Sequence, residues 1–418
     1  MIKTLRLGQF TQQVSTTFAA QVAVLLLGLA NGAITARWLG VTGKGMLGLA
    51  LLLPTMLSLF LSGGLGTANV YFVGSRRLDV RTLSANSVAF AILATIVGAV
   101  VVAVLNLTGW LARLVPGVPV QALLLAMLAL PLGLFSSHFR ALLQGLRHIT
   151  ALNTITVGQG GLTLLLTVIM VVGLGWGLAG AIMAVVMASA GGLIAAAILV
   201  RRAGGCWQPR WNRAVMRATL SYGLRGYFGN MLQFFNYRLD AFIVNFFMGP
   251  AGAGIYGVSV AMAEMLWYLP NSVGFIIFPK AAATSPAEMN RFTPRIFLIT
   301  LALTALGAAV LALLGNFLIR LIYTSAFASA YLPLLLLLPG VVLLGGAKVL
   351  TNEVAGRGYP QYNSINSGIA LVLTVILDLV LIPRYGVPGA AVASSIAYTA
   401  IFVTAIIFYR AVSHRVAQ

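Results

Sequence analysis

The sequence predicts an all-α polytopic membrane protein with about twelve transmembrane helices. Three observations carry this expectation. Of 418 residues, 60% are hydrophobic and 8% charged, whereas soluble domains carry roughly 25% charged residues, so a soluble fold could not hide this much apolar surface. The apolar residues fall in runs of about 20 or more, the length that crosses a bilayer core as a helix. The short alternating strands of a membrane β-barrel are absent.

Taken in order, the runs lie near 14–36, 46–73, 83–106, 120–143, 151–173 and 177–200, then near 219–247, 252–279, 292–314, 328–350, 360–383 and 387–409. Lys3 and Arg6 precede the first run as they would in a signal peptide. That run, Val14 to Ala36, exceeds a signal core of roughly 7–15 residues and reads as an uncleaved first helix. The sizeable hydrophilic connection is 201–218, RRAGGCWQPRWNRAVMRA. One cysteine, Cys206, excludes a disulfide framework and a multi-cysteine metal site within the chain.

The formal charge of +20 is placed for lipid rather than nucleic acid. With the N-terminus inside, nineteen Lys and Arg residues fall at cytoplasmic ends. Five (Arg37, Lys44, Arg113, Arg320, Arg384) fall at outer ends. The positive-inside rule therefore puts both termini in the cytoplasm. Trp38, Trp110 and Trp176 at outer boundaries, with Trp207 and Trp211 at the inner one, fit an aromatic belt.

An internal repeat organises the runs. Gly40, Gly43, Gly45 and Gly48 return as Gly249, Gly252, Gly254 and Gly257, and Gly177, Gly180 and Ala181 return as Gly386, Gly389 and Ala390, all displaced by 209 positions. Small-residue packing motifs alone would not share one offset. The expected organisation is an N-lobe over 1–202, a cytoplasmic linker over 203–218 with freedom at Gly204–Gly205, and a C-lobe over 219–418. Six helices per half place both halves in the same orientation, an arrangement typical of alternating-access transporters.

Four stretches then carry a family likeness: ARWLGVTGKG (36–45), LDAFIVNFFMGPAGAGIYGVSVAMAEMLWYLPNSVGFIIFP (239–279), AGRGYP (355–360) and LIPRYGVPGAAVASSIAY (381–398). They resemble the polysaccharide-biosynthesis flippases, including the Wzx-type O-antigen flippases, of the multidrug/oligosaccharidyl-lipid/polysaccharide (MOP) exporter superfamily. The resemblance implies a V-shaped, MATE-like transporter in a bacterial cytoplasmic membrane. It implies movement of an isoprenoid-diphosphate-linked oligosaccharide from the cytoplasmic to the outer leaflet. Polysaccharide polymerase or export proteins would be its partners, and no cofactor or metal is implied.

Such a substrate needs basic residues beside lipid, which directs attention to 222–257. At about 100° per residue, Arg225, Gly229, Gln233, Asn236 and Asp240 share one face of the seventh span, and Arg238 points almost opposite to Arg225. Ionisable groups in hydrocarbon normally face a protein interior or a wet cavity. Arg225 is expected to grip diphosphate, Gln233 and Asn236 to bond phosphate or sugar, and Arg238 and Arg37 to add further cationic contacts. Asp240 and Glu264 are the candidates for coupling to H⁺ or Na⁺. Glu353 and Arg357 read as an ordinary i,i+4 pair, Asp378 as a cap or partner, and His138 and Arg140 as snorkelling residues at the inner boundary.

No Walker sequence is present, so the chain is not expected to hydrolyse ATP. The alternatives are a multidrug or organic-cation antiporter of the same superfamily and a membrane-embedded pathway enzyme. Cation extrusion usually needs cavity carboxylates, and the first-half spans contain none. A pathway enzyme would be expected to carry a sizeable acidic loop domain.

Overall fold

A computed structural model describes the backbone of residues 7–415 and their side chains except those of 7–15, 225, 226, 283, 286, 414 and 415. Lys3 and Arg6 lie outside the described residues, as do the side chains of Arg225 and Arg415. Among the described residues, ten segments are long and apolar enough to cross a membrane. Two are of double length: α1 (Leu7–Leu61, 55 residues) and α9 (Arg213–Glu264, 52 residues). An unbroken helix of that length would extend about 80 Å, far beyond a hydrocarbon core of roughly 30 Å.

Each therefore reverses, and glycine sets the place. Gly40 has φ 67° and ψ −173°, and Gly249 has φ 68° and ψ −178°. Only a residue without a Cβ enters this region at low cost. Gly177 (φ 53°) and Gly386 (φ 64°) begin or precede α8 (Gly177–Arg202) and α14 (Val387–Arg415). Both pairs keep the 209-residue offset, so the repeat in the sequence is also a repeat in backbone conformation.

The chain separates into two compact units. The first contains residues up to Gly40 and Leu47–Tyr227. It includes α2 (Leu65–Gly74), α3 (Val80–Leu107), α4 (Trp110–Leu114), α5 (Val120–Met127), α6 (Ala129–Gly145), α7 (Ile149–Thr167) and α8. Leu83, Phe139, Leu142, Leu143, Ala196 and Val200 form its core beside α6 and α8. The expected single span over 46–73 breaks at Ser62–Gly63–Gly64, where Gly63 and Gly64 take positive φ. A Cβ on Gly64 would lie 2.6 Å from the Gly223 carbonyl carbon, so backbone packs on backbone there. Pro131 cannot donate to the Met127 carbonyl, and α5 gives way to α6 at Leu128.

The connection after α8 is shorter and more firmly held than expected. Asn212 Oδ1 accepts from the amides of Ala214 and Val215 at 3.1 and 3.2 Å, capping α9 from Arg213 onward. Upstream, Cys206 N donates to Ser84 Oγ (2.8 Å), Arg210 N to the Ala85 carbonyl (3.2 Å) and Asn212 N to Asn86 Oδ1 (3.1 Å). These bonds pin 206–212 along the start of α3. His138 does not snorkel: it is 1% exposed and packs edge-on against Phe90.

The second unit contains Val41–Met46 and the chain from Phe228 onward. Its later helices are α10 (Tyr268–Ala283), α11 (Pro286–Tyr323), α12 (Tyr331–Gly356), α13 (Gln361–Tyr385) and α14. α11 runs well beyond the apolar stretch 292–314 because Ser285 caps it, accepting from Glu288 N, with Pro286 in the first turn. Pro270 leaves the Leu266 carbonyl without its helical donor, and a 3₁₀ turn over Met265–Trp267 separates α9 from α10. Glu353 and Arg357 pair as spaced, but deep in the fold, with Arg357 also donating to Asn290 Oδ1 at 2.7 Å.

Within this unit the turns at Val41–Met46 and around Gly249 meet reciprocally. A Cβ on Gly45 would collide with the Pro250 carbonyl and come within 2.8 Å of Gly254 N. One on Gly254 would collide with the Val41 carbonyl and come within 3.1 Å of Gly45 N. Gly45 and Gly254 are repeat equivalents, as are Val41 and Pro250. Gly48 and Gly257, one turn further, have open space where a Cβ would stand. Gly45→Ala and Gly254→Ala should each destabilise the purified protein by about 1–3 kcal/mol. Gly48→Ala and Gly257→Ala should leave the thermal midpoint nearly unchanged, which a thermal-unfolding series checks.

Candidate functional site

The reversal at Gly249 folds α9 onto itself and brings Asp240 beside Tyr256. The Tyr256 hydroxyl donates to Asp240 Oδ2 at 2.5 Å, and the Ser394 hydroxyl of α14 lies 3.4 Å from the same oxygen and 3.0 Å from Tyr256. Asp240 Oδ1 accepts from Ala241 N at 2.7 Å. One helical turn back on α9, Asn236 Oδ1 accepts from the Thr374 hydroxyl of α13 at 3.0 Å. Asp378 stands one turn beyond Thr374. Asn236/Asp240 and Thr374/Asp378 are thus two i,i+4 pairs on facing helices, with Ser394 closing the cluster.

Asn236 and Asp240 are 1% and 2% exposed, and Asp378 is wholly buried. Neither carboxylate oxygen of Asp378, nor Asn236 Nδ2, has a hydrogen-bond partner among the described residues. Asp378 lies within electrostatic reach of Asp240 and Tyr256. A buried polar group without a partner costs about 1–3 kcal/mol, and a charged one more. Two carboxyl groups enclosed together require positive charge: Arg238 lies within electrostatic reach of Asp240, and a proton or a bound cation would supply the rest.

The expected stripe on the seventh span therefore divides. Asn236 and Asp240 lie inside the packing of α9, α13 and α14 rather than on an open wall, where Thr374 bonds the Asn236 oxygen and Tyr256 and Ser394 meet Asp240. The space beside Gly229 is taken by Ser364 of α13. Gln233 is exposed and donates to the Tyr237 hydroxyl at 3.1 Å. Arg37 is exposed, three residues before the Gly40 reversal.

Arg238 leaves α9 on another face and meets Glu264. Its two terminal nitrogens lie 3.0 and 3.1 Å from the two carboxylate oxygens, a bidentate pair with 38% and 23% side-chain exposure. Tyr237, Trp267 and Tyr398 cluster beside it, with ring centroids 5.0 to 6.1 Å apart. Lys348 of α12 stands 4.2 Å over the Trp267 ring and donates to Asn271 Oδ1 at 2.9 Å. The local set is two cations and the Glu264 carboxylate packed against three aromatic rings, of which Trp267 and Tyr398 are buried, with Asp240 within electrostatic reach of Arg238.

Sequence reasoning did not group Tyr256, Thr374, Asp378, Ser394 and Lys348 with these residues. The available signal was spacing: Asn-x-x-x-Asp at 236–240 and Thr-x-x-x-Asp at 374–378 place paired polar groups on one helix face. What the spacing could not tell was that the two faces oppose each other.

Comparison with known proteins shows the fold and then the family. The fold is that of MOP-superfamily transporters. A lipid II flippase MurJ structure in an inward closed conformation matches with a TM-score of 0.79 and 15% identity, covering 96% of this chain and 90% of that one. An inward-facing multidrug resistance MATE family transporter matches with a TM-score of 0.72 and 16% identity, covering 94% of each chain. The chain belongs to the polysaccharide biosynthesis protein family, whose model matches residues 10–285. An uncharacterized membrane protein of Methanocaldococcus jannaschii is 24% identical over 196 residues, 45% of this chain and 38% of that protein.

The Arg238–Glu264 pair makes a direct prediction. Arg238→Gln should cost more stability than Arg238→Gln combined with Glu264→Gln, because the single change strands a half-buried carboxylate. A double-mutant cycle on thermal unfolding should give a coupling of about 1 kcal/mol. A coupling near zero would make the pair a solvated contact.

Proposed function

We propose that the protein is a flippase that moves an isoprenoid-diphosphate-linked oligosaccharide from the cytoplasmic to the outer leaflet by alternating access. The observation that carries this reading is the family match on a MOP-superfamily fold. The repeated glycine reversals support it, because they give a chain built as two related halves. The basic composition also favours an anionic substrate over an organic cation. No ATP site is needed. Moving negative charge outward runs with an inside-negative potential, worth about 2.3 kcal/mol per charge per 100 mV.

Lys348 and the exposed edge of Arg238, with Gln233, Arg225 and Arg37, are the residues we assign to phosphate and sugar. We assign Asp240, Asp378 and the oxygens of Asn236, Thr374, Tyr256 and Ser394 to a coupling cation, H⁺ or Na⁺. Glu264 then acts as the counter-ion that fixes Arg238.

Deletion should cause a lipid-linked saccharide to accumulate on the cytoplasmic face, detected by extraction and mass spectrometry. A deletion strain with unchanged lipid-linked sugars would contradict the reading. Asp378→Asn should at least halve transport and remove its dependence on a proton or sodium gradient while the protein remains abundant. A retained gradient dependence would take the cluster out of coupling.

A further inference from the structure

The first unit contains a cation that this assignment does not use. Arg140, on α6, turns inward instead of snorkelling. Its Nε donates to Ser136 Oγ at 3.1 Å, Nη1 to Thr156 Oγ1 at 3.2 Å, and Nη2 to Gln159 Oε1 at 2.5 Å. Gln159 in turn donates to Ser189 Oγ at 3.2 Å, so α6, α7 and α8 jointly hold the guanidinium. Gly192 leaves the necessary room: a Cβ there would stand 2.7 Å from Gln159 Oε1 and 3.2 Å from Arg140 Nη2.

All these partners are neutral. Asp79 is the one carboxylate in the first 239 residues. It caps α3 by accepting from Thr82 N at 2.9 Å, and hydrogen bonds from the Thr82 side chain and backbone hold its carboxyl below the usual range. The half-buried charge on Arg140 is therefore positioned but not neutralised. Arg238 and Arg357 in the second unit each have a glutamate.

Two spaces of different chemistry flank this cation. Arg140 lines a cavity of about 610 Å³ with Thr67, Tyr71, Ser137, Gln144 and Tyr222. Tyr71 and Tyr222 stack there at 4.2 Å with 14° between their planes, and Arg77 stands 5.4 Å from the Tyr71 ring. Gln159, the partner of the guanidinium, also lines a largely apolar groove of about 690 Å³ with Gly158, Leu162, Gly191 and Gly192. A positioned cation with amide and hydroxyl groups suits phosphate. A stacked aromatic pair suits a sugar face, and an adjoining apolar groove suits a hydrocarbon chain.

We propose that this is a binding site for the phosphate end of the lipid-linked substrate, with Arg140 on the diphosphate, the Tyr71–Tyr222 pair against the first sugar, and the α7–α8 groove holding the isoprenoid. The positive-inside reading puts this end of the spans at the cytoplasmic face, where the substrate would enter. The assignment rests on the flippase reading for the identity of the ligand, and on Arg140 and its cavity for the place.

The test is a binding titration on the purified full chain in phosphatidylcholine nanodiscs, with undecaprenyl diphosphate as the probe. Arg140→Gln should weaken binding by about tenfold or more, the scale of a lost charged hydrogen-bonding partner. Arg140→Lys keeps the charge but not the three-way fork that Ser136, Thr156 and Gln159 hold, so it should weaken binding less than Arg140→Gln does. Tyr222→Leu should weaken binding of the same lipid carrying N-acetylglucosamine but not of the bare diphosphate. Unchanged binding in Arg140→Gln would overturn the site, because it would make the guanidinium a packing element. Binding of inorganic pyrophosphate as tightly as the lipid would replace it with a site for a free anion. Equal competition by phosphatidylglycerol would replace it with a general lipid contact. Export measured in the same variants separates the two readings. Blocked export with normal binding in Arg140→Gln removes this site and leaves the flippase. Arg140-dependent binding alongside normal export in a deletion strain removes the flippase and leaves the site.

Discussion

A charge in hydrocarbon must find an opposite charge, a polar enclosure or a route to water. This chain has six carboxylates against twenty-six Lys and Arg residues. Most cations solve the problem by lying at span ends. For those within the spans, the few carboxylates decide which are neutralised and which remain available. Glu264 compensates Arg238, and Glu353 compensates Arg357. Asp240 and Asp378 form no ion pair; they share a cluster of hydroxyl and amide groups, with Arg238 within electrostatic reach of Asp240. Arg140 receives only neutral partners. The polar interior is thus divided into paired, carboxyl-rich and cation-rich places, each suited to different chemistry.

Glycine makes this division possible by setting backbone paths. The reversal at Gly249 is what carries Tyr256 back to Asp240, and its repeat equivalent at Gly40 has nearly the same dihedral angles. At Gly45 and Gly254 the absence of a Cβ lets two turns approach to backbone contact. The two halves of the repeat share these turns but not their charges: the acidic cluster occurs in the second unit, and the cation held by neutral groups in the first.

Much of the fold was legible because bilayer thickness imposes a length on every span and glycine marks where spans reverse. Run length located the helices, and the 209-residue offset located equivalent turns. Helix ends were less legible. α11 continues past its apolar stretch because a cap, not hydropathy, sets its start, and the break at Gly63–Gly64 interrupts a run that hydropathy reads as continuous. The connection at 203–212 looked free from its glycines, yet the side chains that pin it, Ser84 and Asn86, lie more than a hundred positions away in sequence.

The site was legible in its members more than in its partnerships. Helical spacing put Asn236 and Asp240 on one face, but nothing local revealed that Thr374, Asp378 and Ser394 would meet them. Arg140 and His138 look alike at a membrane boundary, and only packing separates a buried ring from a positioned guanidinium. The central claim is that the basic interior moves a diphosphate-linked glycolipid. It is tested most directly by reconstituting the purified chain in liposomes and following loss of a fluorescent lipid-linked saccharide from one leaflet under an imposed potential. The account predicts chain-dependent movement that speeds up when the receiving side is positive. Movement no faster than in protein-free liposomes at every potential and ion gradient would contradict it.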